Sequence, residues 1–377
     1  MRIAIEAQRI FRKNKHGMDF VALEIIRQLQ KIDTVNQYYI MVAPGEDVCL
    51  EPSANVRIVE VKCPTYPLWE QVALPLAVNK IKPDLLHCTS DTAPLFCHVP
   101  LVLTLHDIIY LEPRQHTSLS AYQNLGWYYR RFIVPKILTK CHKIITVSHF
   151  ECHRIRETLH LDASKILTIY NGLGSHFIPV KKPASITKKY LSEENYLFFL
   201  GNTDPKKNTE RTLKAYGLYV QQTTDPLPLL IADLQESDIS HVLENIRMPF
   251  LKTLIRCPGY ITNTDLPAIY SGAKVFLYTS LRESFGIPLL EAMACGTPVI
   301  TSNTSSMPEV AGNAAIFTNP TDENDITAQL IRLLKDKKIY KEYITRGLER
   351  VKVFSWENTA RATFRVYQDV YLKNGAR

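Results

Sequence analysis

The chain has 377 residues, 46% hydrophobic and 22% charged, with a formal net charge of +8. That length exceeds one ordinary core and calls for two domains of a globular protein, and no apolar run approaches the ~20 residues of a spanning helix. The eight cysteines stand singly without a C-x-x-C pair, against zinc or redox motifs and toward reduced thiols in a cytoplasmic protein. The positive balance admits nucleic acid, an anionic membrane or anionic substrates. No zinc-finger spacing, RNP-type sequence or Lys/Arg block accompanies it, which leaves diphosphate substrates and a peripheral contact at the inner face of the membrane.

Arg2–Ile5 reads as a first strand, lacking the long apolar core of a signal peptide. A basic loop, Arg9–Gly17, precedes a helix over Met18–Leu29 with Phe20, Leu23 and Ile26 inward. Basic loop, glycine and helix start together suit an anion, and a flexible charged loop is the other reading. Tyr38–Ala43 and Val56–Val61 are strands, and a helix reaches about Lys80. Asp84–Cys88 is a strand ending in the polar loop Thr89–Pro94, a candidate acceptor-facing surface. Leu101–Leu105 is a buried strand ending in His106-Asp107, at the carboxyl end where open sheets bind ligands. Asp107, on the opposite face from its neighbour, could orient His106 from the turn or meet a substrate hydroxyl. Ser118–Lys140 is a long helix with interleaved aromatic and basic residues, which fits either an interfacial surface or a core helix with a solvated basic edge. Lys143–Val147 is a strand, and Ser148 is placed to cap the next helix.

Phe177–Tyr190, with two prolines and four lysines, reads as a linker. Tyr196–Leu200 opens a second parallel sheet. Gly201-Asn-Thr-Asp-Pro-Lys-Lys-Asn then leads into a helix, again a glycine and a basic loop at a helix N-terminus, with Lys206 and Lys207 as its cations. Val275–Thr279 is a buried strand, Arg282–Gly286 a loop, and Pro288 suits the first turn of a helix that Leu289, Leu290, Ala292, Met293 and Ala294 propagate and Gly296 stops. Glu283 and Glu291 stand eight positions apart across that loop. A helix start attracts phosphate through its free N–H groups, whereas carboxylates accept from neutral hydroxyls, so one loop could hold phosphate and sugars together. Read alone, the pair also fits a solvated Glu283 and a Glu291 that complements the helix dipole.

E-S-F-G-I-P-L-L-E-A-M-A-C-G-T-P-V-I, beginning at Glu283, resembles the E-x7-E signature of the retaining family 4 glycosyltransferases, which have the GT-B fold. T-L-H-D-x-x-x-L-x-P resembles their histidine segment, T-V-S-x-F their first-domain helix start, and G-x-x-x-P-[RK]-K-N their diphosphate loop. The resemblance implies an α/β protein of two Rossmann-like parallel-sheet domains facing a cleft: residues 1–178 on the acceptor side, a linker at 179–192, and a nucleotide-sugar domain at 193–354. Helix 355–377 returns to the first domain.

The same resemblance implies that Glu283 contacts the donor sugar and Glu291 the ribose, with Ser284, Phe285, Gly286 and Ile287 near sugar and phosphate. Lys207, supported by Lys206 after Gly201, holds the diphosphate; Gly17 lies over the donor phosphates; His106 meets the donor sugar near the reacting carbon, with Asp107 beside it. The related pattern has Arg where this chain has Asn202, which leaves a second cationic contact open. Front-face attack with retention is the mechanism the family implies, GDP-mannose the first donor expected and surface polysaccharide the product.

No D-x-D pair occurs, so neither a metal nor another cofactor is expected. An epimerase or phosphorylase of the same fold and a nonenzymatic nucleotide-sugar binder are the alternatives. The absence of an early G-x-G-x-x-G argues against a dehydrogenase.

Overall fold

The computed structural model describes residues 1–13, 15–112 and 121–375. Pro113 of the histidine segment, Ser118–Ser120 at the expected start of the basic helix, and Asn14 of the first basic loop lie outside them. Packing divides the chain into Met1–Gly172 with Phe354–Arg377, and Leu173–Val353.

The first unit carries seven strands: β1 Arg2–Glu6, β2 Gln37–Val42, β3 Val56–Glu60, β4 Leu85–Cys88, β5 Leu101–Thr104, β6 Lys143–Thr146 and β7 Ile166–Thr168. They form one sheet in the order β3-β2-β1-β4-β5-β6-β7. Every pairing is parallel, with Ile3 opposite both Tyr38 and Leu85. Strands such as Leu101–Thr104 are buried on both faces, which is why they read as continuous apolar runs. The order turns back between β1 and β4, the switch point where ligands collect in such sheets. One sheet face, with Ala4, Met41, Leu86 and Leu103, is covered by Trp69, Leu74, Val78, Ile133, Val134 and Ile137. The terminal helix Trp356–Gly375 packs on Gly17–Ile32, and its Tyr367 hydroxyl meets His87 Nδ1 at 2.7 Å.

The second unit carries β8 Tyr196–Leu200, β9 Leu229–Ala232, β10 Ile255–Gly259, β11 Ala273–Tyr278, β12 Val299–Ser302 and β13 Ile316–Thr318. Their order is β10-β9-β8-β11-β12-β13, all parallel, with the switch point between β8 and β11. Segment 179–192 is anchored here rather than extended: Ala184–Thr187 is a helical turn, the Val180 N–H donates to Ser271 Oγ at 2.9 Å, and the Tyr190 hydroxyl donates to Asp265 at 2.7 Å.

Three local features depart from the periodicity. The first helix spans Gly17–Ile32, and Asp19 rather than Phe20 is the buried residue of its first turn. Asp19 accepts the His16 N–H at 2.7 Å and pairs with Arg12, so the helix start is closed by a buried acid, not by apolar contact. Tyr66–Leu68, Trp69–Ala73 and Leu74–Ile81 run as one rod whose middle turn is π-helical. Pro75 cannot donate to the carbonyl one α-turn back, and the widened turn absorbs that loss. The loop Thr89–Pro94, expected to face an acceptor, is buried throughout.

Candidate active site

In the second unit the loops after β8 and β11 meet at the switch point. The Leu281 N–H donates to the Lys206 carbonyl at 2.7 Å, and Asn208 Nδ2 donates to the carbonyls of Thr279 (2.9 Å) and Pro320 (2.7 Å). Asn208 takes a left-handed φ of 61°, which asparagine tolerates better than most residues. Space at Gly201 is tight: a Cβ there would lie 2.4 Å from Leu234 Cδ1 and would make that side chain shift. Asn202 shapes the turn, its side-chain oxygen accepting the Asp204 N–H at 2.8 Å.

This loop delivers Lys207 to Glu283, with Nζ 2.7 Å from Oε1 and both side chains partly exposed. Tyr278 lies beneath, its ring centroid 5.8 Å from the ammonium and its hydroxyl bonded to Glu283. The Glu283 backbone is fixed separately. Ser305 Oγ accepts its N–H at 3.0 Å and donates to its carbonyl at 2.6 Å, while Ser306 Oγ donates to the Phe285 carbonyl at 2.9 Å. Phe285 is buried, whereas Ser284 and Ile287 keep partial exposure. Gly286 caps the Ile287–Ala294 helix at φ 105°, a backbone state open to glycine and strained for other residues. A cation, a carboxylate and a helix N-terminus therefore sit on two adjoining loops.

Glu291 lies in the second turn of that helix and accepts a hydrogen bond from the Tyr270 hydroxyl at 3.1 Å. Burial pushes its carboxyl up to about 7, against the pull of that hydrogen bond. A carboxyl held at such a cost, with part of its surface open, has acceptor capacity left for a ligand.

In the first unit His106 follows β5 and is 5% exposed. Its Nε2 lies 3.0 Å from the Thr89 carbonyl, which can only accept, so Nε2 carries a proton. The His106 N–H donates to Asp91 Oδ1 at 2.7 Å. Asp107 turns one carboxylate oxygen to the Ile109 N–H at 3.0 Å. Burial raises the Asp91 carboxyl above its ordinary range, opposed by the neighbouring imidazole.

The Thr89–Thr92 loop is in turn held by two buried acids. Glu6, at the carboxyl end of β1, accepts the Thr89 N–H at 3.2 Å, and its own carbonyl accepts the Thr89 hydroxyl at 2.8 Å. Glu70, in the π-helical turn, accepts from the hydroxyls of Thr92, Tyr129 and Tyr66, the last at 2.8 Å. Burial, together with the nearby Glu70 carboxylate, pushes Glu6 up to about 7 against the pull of the Gln8 and Thr89 N–H groups. Arg9 stacks 4.6 Å over the Tyr66 ring. Gly17 opens its helix with clear space where a side chain would stand.

Of the residues named from the sequence, Glu283, Glu291 and Lys207 lie about the β8/β11 switch point and His106 at the end of β5, while Asp91, Glu6, Glu70, Tyr270, Tyr278, Ser305 and Ser306, which surround them, carry no motif that marked them. For Glu6 a signal exists, a carboxylate ending an otherwise apolar strand. Ser305, Ser306 and Tyr270 reach the site only through tertiary packing.

The description "Glycosyl transferases group 1" matches residues 183–350, and "Glycosyltransferase Family 4" matches residues 16–174. O-antigen chain mannosyltransferase B of Escherichia coli is 32% identical over 272 residues, 71% of this chain and 70% of that protein. The serotype-specific mannosyltransferase WbdA of the same organism is 29% identical over 310 residues, 77% of this chain but only 37% of that longer protein. Among solved structures, a sucrose-phosphate synthase from Thermosynechococcus elongatus superposes with a TM-score of 0.77 at 19% identity, over 99% of this chain and 100% of that one.

Proposed function

Because the chain belongs to the group 1 glycosyltransferases of family 4, we propose that it transfers mannose from GDP-mannose to a carbohydrate or glycolipid acceptor in surface-polysaccharide synthesis, retaining anomeric configuration and needing no metal. The mannosyltransferase relatives support the sugar and the pathway. The observation that carries the reading is the Lys207–Glu283 pair at the β8/β11 switch point. It offers a diphosphate a cation and a sugar hydroxyl a carboxylate, side by side.

In this reading the donor-free pair exchanges partners on binding. Lys207 moves its charge to the diphosphate, supported by Lys206 and the N–H groups after Gly286, and Glu283 accepts from the donor sugar. Glu291 accepts from the ribose hydroxyls. His106, with Nε2 committed to the Thr89 carbonyl, presents Nδ1 to the transferred sugar. The acceptor hydroxyl attacks the anomeric carbon on the face that the diphosphate leaves, its proton passes to the leaving phosphate oxygen, and a new glycosidic bond replaces the sugar–phosphate bond. Protein cations and helix dipoles stabilise the leaving group in place of a metal. The enzyme works in the cytoplasm, on acceptors at the inner membrane face.

Thermal stabilisation across a panel of GDP-, UDP- and dTDP-sugars tests the donor, since a ligand bound to the native state raises the melting point. GDP-mannose should give the largest shift. A larger shift with another sugar nucleotide would replace the donor, and none with any would remove the nucleotide-sugar reading.

A further inference from the structure

The second unit has a cavity of about 560 Å³ at the end of its sheet remote from the β8/β11 loops, a volume in the range of pockets that enclose small organic ligands. Asn195 just before β8, Leu227 just before β9 and Lys274 at the start of β11 line it, so it opens at the amino ends of the strands. Lys207 and Glu283 follow the carboxyl ends of β8 and β11. At ~3.3 Å per residue, strands of five and six residues hold the two places ~15 Å or more apart.

The walls are apolar. Ile331 and Leu334, three residues apart on the Glu323–Lys335 helix, line the cavity, while Leu330 and Leu333 of the same helix are buried in the core. A helix that covers one core needs one apolar stripe, and this one presents a second, half-buried stripe to the cavity. Tyr219 and Tyr340 add their rings, and their hydroxyls are tied to backbone: Tyr219 accepts the Leu227 N–H at 3.0 Å, and Tyr340 donates to the Lys274 carbonyl at 2.8 Å. The rings are thus held in place, and what they offer a ligand is apolar surface.

The rim is cationic. Lys274, Lys335, Lys337 and Lys341 stand exposed around it, against one acid, Asp225. Other lysines of this unit sit on acids, as Lys214 does on Glu210 and Lys352 on Glu349; among the described residues none of these four holds one. Asp336, between two of them in sequence, turns Oδ1 to the N–H groups of Lys338 and Ile339 at its helix start. An apolar chamber with such a mouth fits an amphiphilic anion, its body against the walls and its head among the ammonium groups. Four cations against one acid suit a phosphate better than a monovalent carboxylate.

We propose that this cavity is a second ligand site, for a single-chain amphiphile with an apolar tail and a phosphate head. It lies away from the transfer chemistry, so its ligand binds alongside a sugar nucleotide rather than in its place, and direct binding reads it without turnover.

The test is calorimetry of the full chain with decyl phosphate below its micelle concentration. Decyl maltoside, which has the tail without the charge, and inorganic phosphate, which has the charge without the tail, are the comparisons. Decyl phosphate should bind one-to-one and about tenfold more tightly than either, or better. Lys337→Glu/Lys341→Glu, at exposed positions, should keep the wild-type melting and weaken decyl phosphate about tenfold or more. Leu334→Asn should weaken it too, with circular dichroism checking the fold at that half-buried position; the lysine pair decides alone where this variant melts early. Lys207→Ala should bind decyl phosphate as wild type does. Decyl phosphate that binds no more tightly than decyl maltoside, or that ignores either change in a folded variant, would overturn the proposal. So would binding lost in Lys207→Ala, because the phosphate would then sit in the candidate active site.

Discussion

Glu291→Gln separates ligand chemistry from stability, because the two should move in opposite directions. Burial lifts the folded-state carboxyl from 4.5 to about 7. The unfolded chain returns it to the ordinary value, so between these pH values the folded protein binds the proton more tightly. The stability it contributes is fully present below 4.5 and lost as pH rises through 7. Holding the bare carboxylate at pH 8 therefore costs ~3 kcal/mol, reduced to ~2 kcal/mol by the part of the side chain still open to solvent. Glutamine removes the charge and keeps an oxygen for the Tyr270 hydroxyl. The variant should match wild type in urea unfolding near pH 4.5 and exceed it by ~2 kcal/mol at pH 8. Calorimetry with a sugar nucleotide at pH 8 should show affinity lost by ~1.5–3 kcal/mol, the worth of a hydrogen bond to a charged group. Wild-type affinity should weaken from pH 8 to pH 6 as the acid protonates, while the variant stays flat. A variant no more stable than wild type at pH 8, or one that binds nucleotide equally well, refutes the assignment of Glu291 as a strained ribose acceptor.

Lys207→Ala should raise the transfer barrier by about 2–4 kcal/mol, the scale of losing one key electrostatic stabiliser, while wild-type transfer survives excess EDTA; activity abolished by EDTA and restored by magnesium would defeat the metal-free account. Glu283→Ala should mainly lower turnover, and calorimetry showing a nucleotide loss equal to that of Glu291→Ala would end their division of roles. His106→Ala should keep donor affinity and lose most transfer. Thr92→Val, which cuts the loop from Glu70 without touching His106, should lower kcat but add little to His106→Ala, since residues acting through one another are non-additive; additive losses would detach Glu70 and Thr92 from the histidine. Gly17→Ala meets no neighbour and should gain up to ~1 kcal/mol of stability, yet slow transfer if Gly17 lies over the donor phosphates as the family resemblance implies; unimpaired transfer removes Gly17 from the site.

Local pattern carried the parallel sheets, since strands buried on both faces are written as unbroken apolar runs such as Leu101–Leu105. It carried the Ile287–Ala294 helix too, whose glycine cap, early proline and terminal glycine each have a backbone reason. The Ser148 cap stands as expected, its hydroxyl accepting the Glu151 N–H at 3.2 Å. Less legible was everything decided by polar burial. Asp19 takes the interior place that apolar spacing gives to Phe20, because Arg12 neutralises it from an adjoining loop. Thr89–Pro94 reads as a surface because its residues are polar, yet Glu6, Glu70 and His106 supply partners that make its burial tolerable. Those partners come from sites 15 to 83 residues away, a separation that no window of sequence spans. Lys207 and Glu283 were each legible by motif, but their ion pair was not, for it depends on the β8/β11 crossover.

The central claim is sugar transfer, and acceptor-dependent release of nucleoside diphosphate tests it most directly. Purified protein would be incubated with GDP-mannose, with and without a lipid-linked oligosaccharide acceptor, and the products followed by proton NMR. Release of GDP coupled one-to-one to a new α-mannosyl linkage, and dependent on acceptor, is the predicted result. A β-linked product would contradict retention, and donor turned over equally without acceptor would contradict transfer itself.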